Sequence, residues 1–243
     1  LVQSFFGWRE AFNAPAAAVQ KLDTHGLPAQ AFLGIAGMPG LTAYVGLLKI
    51  AALKEGDVVF VSGAAGAVGQ VVCQIAKVKG HKVIGSAGGK DKVAYLKEIG
   101  VDHAIDYHAE SDLTAAVLAG APDGIDVYFE NVGGAHLEAA LNTARPMARM
   151  ALCGMISQYN ATDLGAGVRG LIQAVGKQIR LEGFIVSSHA DMQGAFIADM
   201  AKWIGDGKIT WRETIEEGIE NAPTAFLKLF SGGNLGKMLV KLS

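Results

Sequence analysis

The segment GAAGAVG, Gly63–Gly69, is where residue types and spacing point most directly to chemistry. It follows the apolar run DVVFVS and precedes a helical pattern. Written Ala64-x-Gly66-x-x-Gly69, it is a dinucleotide-binding fingerprint with alanine in the first position. Gly66 would let the backbone approach a pyrophosphate, and Gly69 would let the helix pack closely on the strand. The helix N-terminus offers free N–H groups and a partial positive charge to the anion. A glycine-rich turn can also serve packing alone, so the fingerprint draws its meaning from the strand before it and the helix after it. A nucleotide with a free 2′-hydroxyl calls for an acid ~20 residues further on. The sequence there is VIGSAGGKDK, with Ser86, Gly88, Gly89, Lys90 and Lys92 and no acid before Asp91. Lysines and small residues accept a 2′-phosphate that an acid would repel, so the expected cofactor is NADP(H) rather than NAD(H).

Other chemistries fail on spacing. No tyrosine has a lysine four residues on: after Tyr44, Tyr95, Tyr107, Tyr128 and Tyr159 come Leu48, Ile99, Ser111, Val132 and Asp163. SGGNLGKM imitates a phosphate loop, but Ser231 and Met238 occupy two of its fixed positions and a strand follows it. No G-x-S-x-G elbow occurs. Cys73 and Cys153 stand apart in apolar strings, and no HxxxH, HExxH or CxxC spacing appears, so neither a disulfide framework nor a metal site is expected.

The elements that must position these residues alternate. DVVFVSG predicts a buried strand, AVGQVVCQIAKVKG a helix, HKVIGSAG a strand and KDKVAYLKEIG a helix. HAIDY predicts a third strand, with a helix around Asp112–Ala119. GIDVYFENVGG, AHLEAALNTA and RMALCG predict strand, helix and strand. A loop from Met155 to Asp163, a helix toward Lys177 and the sixth strand IRLEGFIV complete the pattern. Such alternation implies an α/β fold, a doubly wound parallel (Rossmann) sheet binding ligands off the carboxyl ends of its strands. The tail differs: a helix over Asp191–Gly207, a strand in ITWRETIEEG, another helix and a final strand GKMLVKL. Leu1–Asp23 and this tail read as strands of a second, mostly β unit whose body is absent, and the chain as a fragment or processed product.

Composition agrees. Of 243 residues, 51% are apolar and 18% charged, against about 25% charged in an average domain, so the chain can bury a large core. The 32 glycines are roughly twice the usual share and have no fixed period, which suits turns and close backbone approaches. A net charge of −2 gives no long-range pull toward nucleic acid or anionic membrane. From Gly26 to Leu48 there is no Asp, Glu, Lys or Arg, but five glycines and two prolines argue for a packed loop and helix entry rather than a membrane span. No signal peptide is evident, which predicts a cytoplasmic protein.

GMPGLTAYVGLLKI, GAAGAVGQVVCQIAKVKG, YFENVGG and SQYNAT together resemble the zinc-free medium-chain dehydrogenase/reductases. Within them, the resemblance is to the NADPH-dependent alkenal/prostaglandin reductase branch, leukotriene B4 dehydrogenase-like and curcumin reductase-like. It covers essentially the whole chain. It implies a nucleotide-binding domain over residues 26–207. Remnants of a β-rich, GroES-like catalytic domain would lie in residues 1–25 and 208–243.

The resemblance also implies site residues. Gly66, Ala67, Val68 and Gly69 would cradle the pyrophosphate, Lys92 would meet the 2′-phosphate, and Tyr107 would lie near it. Asn131 would sit beside the cofactor. The stretch from Cys153 and Gly154 through Ile156 and Ser157 to Tyr159 would line the nicotinamide side, as would Phe184, Ile185 and Val186. Met38 and Thr42 would approach the nicotinamide, and Asn234 would reach back from the tail. The implied chemistry is hydride transfer to the β-carbon of an α,β-unsaturated ketone or aldehyde. Tyr159 is the candidate catalytic residue, donating a hydrogen bond to the carbonyl oxygen as negative charge develops there. A phenol is a good donor and a poor proton source at neutral pH, so water would deliver the final proton. Two alternatives stay open: a zinc-free quinone reductase, and a non-catalytic NADP(H)-binding module. The loop ATDLGAGVRG after Asn160 lacks the proline-rich stretch associated with the branch, which leaves the substrate open. Relatives pair as homodimers through their nucleotide domains, and IRLEGFIVSS offers an apolar edge for this.

Overall fold

The computed structural model describes residues 1–24, 26–163 and 167–242, so 164–166 of the loop after Asn160 lie outside the described residues. Strands β1 (Val2–Gln3) and β2 (Gln20–Lys21) pair antiparallel. Helix α1 (Met38–Val45) widens into a π turn at Gly46–Ile50. Strands and helices then alternate through β3 (Val58–Val61), α2 (Gly69–Val78), β4 (Lys82–Ala87), α3 (Lys90–Glu98) and β5 (His103–Asp106). They continue through α4 (Leu113–Gly120), β6 (Ile125–Glu130), α5 (Ala135–Thr143), β7 (Ala144–Leu152), α6 (Gln173–Gly176) and β8 (Arg180–Gly183). Helix α7 (Gln193–Gly205), β9 (Glu213–Glu217), α8 (Ala222–Lys228) and β10 (Lys237–Lys241) follow.

Six strands form one sheet in the order β5-β4-β3-β6-β7-β8, and every neighbouring pair is parallel. Side-chain alternation along β3 explains the layering. Val59 and Val61 join Leu41 of α1, Val72 of α2 and Phe196 of α7 in one core. Val58 and Phe60 join Val117 of α4, Tyr128 of β6 and Leu141 of α5 in the other. A strand buried on both faces needs apolar residues at every position, which is why VVFV shows no polar alternation. The doubly wound expectation holds, and the strand order reverses between β3 and β6, the position at which such sheets bind ligands.

Several boundaries differ from the expected ones. β8 ends at Gly183 instead of running through IRLEGFIV, because Phe184 turns inward: a Cβ on Gly46 would meet its ring at 2.6 Å. β7 starts at Ala144, five residues before RMALCG, with an irregular register against β6 between Ile125 and Val127 and Met147 at φ 64°. α6 is a single turn, and α7 starts at Gln193 after turns over Val186–Met192 in which His189 leaves the helical backbone. At the start of the chain only Val2–Gln3 and Gln20–Lys21 pair as strands. The two ends meet through Trp8 and Phe226 of α8, whose ring centroids lie 5.6 Å apart. A groove of about 680 Å³ between them is lined by Leu1, Val2, Leu33, Ile215 and Leu239. No helix among the described residues is long and apolar enough to cross a membrane.

A buried ion pair ties the amino ends of the sheet. Arg149 of β7 pairs with Asp57, just before β3, and Arg149 Nε donates to the Ala51 carbonyl oxygen at 3.0 Å. Asp57 also accepts from the Lys54 N–H at 2.7 Å. Removing one partner leaves the other charge buried and uncompensated. Arg149→Met is expected to lower stability by about 3 kcal/mol, read as a fall in the urea midpoint at unchanged slope.

Candidate functional site

The turn after β3 is shaped by what its glycines lack. A Cβ on Gly69 would lie 2.3 Å from the Gly63 carbonyl oxygen and 2.7 Å from the Ala64 Cα. Both are backbone atoms, so only glycine lets α2 begin this close to β3. A Cβ on Gly66 would meet only the Gly63 oxygen, at 3.2 Å. The Ala67 and Val68 N–H groups meet no carbonyl among the described residues, as expected for the opening of a helix. Bare backbone, free donors and a helix start together fit a pyrophosphate.

Across the crevice, the turn after β6 is held by a buried carboxylate. Glu130 Oε1 accepts from Ser62 Oγ at 2.8 Å, from the Val132 N–H at 2.6 Å and from the Gly133 N–H at 2.8 Å. Ser62 Oγ accepts from the Asn131 N–H at 2.8 Å, and Asn131 Nδ2 donates to the Ser62 carbonyl at 2.7 Å. Asn131 thus faces Gly63, whose Cβ would lie 3.5 Å from the Asn131 Cβ. Neither Ser62 nor Glu130 figured among the expected site residues. The available signal was a polar residue ending each of two otherwise apolar strands.

The loop after β7 is sewn to the same turn. Cys153 and Gly154 N–H donate to the Glu130 carbonyl at 3.0 and 3.1 Å, Ile156 N–H to Asn131 O at 3.2 Å, and Ser157 Oγ to Val132 O at 2.6 Å. Tyr159, 62% exposed, accepts at its hydroxyl from the Met155 N–H at 3.3 Å. Accepting there leaves the phenolic proton available to a ligand. Cys153, Gly154, Tyr159, Phe184, Ile185 and His189 line an open cleft of about 560 Å³. Burial, and then the Glu130 charge, push the Cys153 thiol up to about 12. Burial raises the Cys73 thiol as well.

The remaining expected residues fall into two groups. Lys92 Nζ donates to the Gly232 carbonyl at 2.8 Å, and burial lowers its pKa. Tyr107 follows β5 directly, with its hydroxyl against Gly88, and burial, then Asp106, raise its pKa. Asn234 Nδ2 donates to Gly236 O at 2.8 Å, and Gly236 N–H donates to Ala65 O at 2.8 Å, which ties the tail to the phosphate turn. Met38 is exposed, and Thr42 donates its hydroxyl to the Met38 carbonyl at 2.8 Å. Both lie on α1, which packs against the turns over Val186–Met192. Lys92 and Tyr107 therefore mark one end of the crevice, and Tyr159, Cys153 and Phe184 the other.

Residues 67–202 match the family model described as zinc-binding dehydrogenase. The 2-alkenal reductase (NADP⁺-dependent) of Nicotiana tabacum is 44% identical over 245 residues, covering all of this chain and 71% of that protein. This chain belongs to that dehydrogenase family. Prostaglandin reductase 1 of Rattus norvegicus is 42% identical over 99% of this chain and 74% of its own length. The solved structure of CurA from Vibrio vulnificus in complex with NADPH superposes with a TM-score of 0.87 at 40% identity, over 100% of this chain and 73% of that one. The chain spans about seven-tenths of the length of these dehydrogenase relatives. Among the described residues no group of three or more His, Cys, Asp or Glu could hold a metal ion.

Two outcomes follow from the geometry. Gly69→Ala is expected to cost about 2 kcal/mol or more in thermal or urea unfolding, since backbone must move to admit the methyl. Both thiols are expected to resist iodoacetamide near pH 7.5, with label appearing by mass spectrometry only on unfolding or at strongly alkaline pH.

Proposed function

We propose that this chain is the nucleotide-binding part of an NADPH-dependent reductase acting on the carbon–carbon double bond of α,β-unsaturated ketones and aldehydes. The observation that carries this is the convergence of three loops at the carboxyl ends of the strands: a phosphate-type turn, a lysine-bearing turn with no acid before Asp91, and a tyrosine-bearing loop. The relatives' names, 2-alkenal reductase and prostaglandin reductase, support the substrate class. The NADPH bound by CurA supports the cofactor.

In this reading Gly66, Ala67, Val68 and Gly69 receive the pyrophosphate, Lys92 and Tyr107 the 2′-phosphate, and Asn131 the ribose side. Met38, Thr42, Asn234 and the residues Cys153–Tyr159 and Phe184–Val186 surround the nicotinamide. Bound NADPH would supply a hydride. Tyr159 directs its hydroxyl proton at the carbonyl oxygen of the enone, and the Met155 N–H on that hydroxyl strengthens the donor. Phe184 and Ile185 exclude water from the cleft wall. Because burial keeps Cys153 as the thiol, the cleft presents no thiolate to an electrophilic substrate.

Residues 1–25 and 208–243 are proposed to belong to a second, β-rich unit, separate from the nucleotide domain at 26–207. Its trace would be the two-stranded sheets β1–β2 and β9–β10. The β8 edge, with Ile172 and Val175 about three-quarters exposed nearby, is proposed as a homodimer contact. A cytoplasmic location is proposed with it.

Lys92→Ala is expected to lower the NADPH-over-NADH affinity ratio about tenfold in calorimetric titration, leaving NADH binding unchanged. Tyr159→Phe is expected to cut kcat/KM for an enone about 100-fold in a chain carrying the complete enzyme, with NADPH affinity within about twofold of wild type. Loss of NADPH binding in Tyr159→Phe, or full activity in it, would contradict the assigned role.

A further inference from the structure

At the exit of β4, two side chains from the end of β5 close over Gly88. A Cβ on Gly88 would lie 2.6 Å from His108 Cε1, 2.9 Å from His108 Nε2 and 2.8 Å from the Tyr107 hydroxyl oxygen. The imidazole and the phenol therefore rest directly on the backbone that leads into α3, four residues before Lys92. Their rings meet edge to face with centroids 4.5 Å apart. Both residues are exposed, so their outer edges are open to a ligand.

The arrangement is fixed by one carboxylate. Asp106 Oδ1 accepts from the Gly89 N–H at 2.9 Å and from the His108 N–H at 3.1 Å. It bolts the two turns together, and its charge is spent on those donors. The Gly89 hydrogen bond is the main reason its carboxyl sits below the usual range. Behind Tyr107, His136 of α5 meets the ring at 5.0 Å. Burial lowers the His136 imidazole to about 4, so it stays neutral and packs as an apolar wall. Its Nε2 is buried without a partner among the described residues.

We infer that His108 is a third contact to the 2′-phosphate of NADPH, beside Lys92 and Tyr107, and that it makes the preference for NADPH over NADH depend on pH. The inference rests on the NADP(H) reading above and adds to it a residue and a dependence that reading lacks. Ionisable groups beside His108 include Asp106 and Tyr107 on its own strand end, with His136 behind the Tyr107 ring, and Lys90 of α3 acts on the same Asp106. His136 and Tyr107, both neutral near pH 7, add no charge beside the imidazole, so the sign is set by the ligand. A phosphate monoester is mostly dianionic above about pH 6.5, and histidine changes charge between about pH 5 and 8. An imidazolium beside a dianion keeps its proton to higher pH than it does alone. The added affinity is therefore present at the lower pH and lost as pH rises. NADH lacks the phosphate and serves as the internal control.

The test is calorimetric titration of the full chain with NADPH and NADH at about pH 6.5 and about pH 8, for wild type, His108→Ala and His108→Lys. The wild-type affinity ratio should be about threefold higher at the lower pH, as suits an exposed charge-assisted contact. His108→Ala should hold the lower ratio at both values, His108→Lys the higher ratio at both, and NADH affinity should not move. A Lys92-dependent preference with the same pH response in His108→Ala would overturn this inference alone. A chain that binds neither nucleotide, or both equally at every pH, would overturn the cofactor reading and this inference with it.

Discussion

At the carboxyl ends of β3 and β6 the chain parts to either side of the sheet, and a buried carboxylate keeps the two halves in register. Glu130 Oε1 accepts three hydrogen bonds, two from the turn that follows it and one from Ser62 on the neighbouring strand. A carboxylate with no exposure is costly unless its lone pairs are met by donors. Three donors meet Oε1 and fix the turn, while Oε2 is buried without a partner among the described residues. Because Ser62 also holds Asn131, the crevice has a set width before any ligand enters. The turn at 130–133 and the loop at 153–159 take their positions from this junction.

The consequence is a site that is largely pre-formed on one side. The Cys153–Tyr159 loop hangs from residues 130–132 by backbone and serine hydrogen bonds, so the Tyr159 hydroxyl inherits the position of β6. The C-terminal tail completes the cradle from the other direction, since Gly236 bridges to Gly66 and Gly232 holds Lys92. The tail therefore touches both the Gly63–Gly69 turn and Lys92, although it is far from them in sequence.

Much of the sheet was legible in the sequence because parallel strands are buried on both faces. Runs such as VVFV and the glycine-punctuated helices between them have no other comfortable solution. The Gly63–Gly69 turn was legible because its glycines answer steric demands that the structure makes explicit. The edge was less so: β8 is only half-buried, and its apolar continuation Phe184 fills a gap beside Gly46 rather than extending the strand. The Ser62–Glu130 junction and the His108–Tyr107 pair on Gly88 were not legible at all. Each depends on contacts between residues 19 to 68 positions apart, which no local pattern encodes.

The central claim is that the crevice between β3 and β6 holds NADPH, gripped from both strands. Amide hydrogen exchange with and without saturating NADPH tests it most directly, because it reads every loop at once. The account predicts slowed exchange in four segments together: 62–69, 88–92, 130–133 and 153–159. Protection confined to the groove between the chain ends, or no protection in a chain that binds the nucleotide, would contradict it.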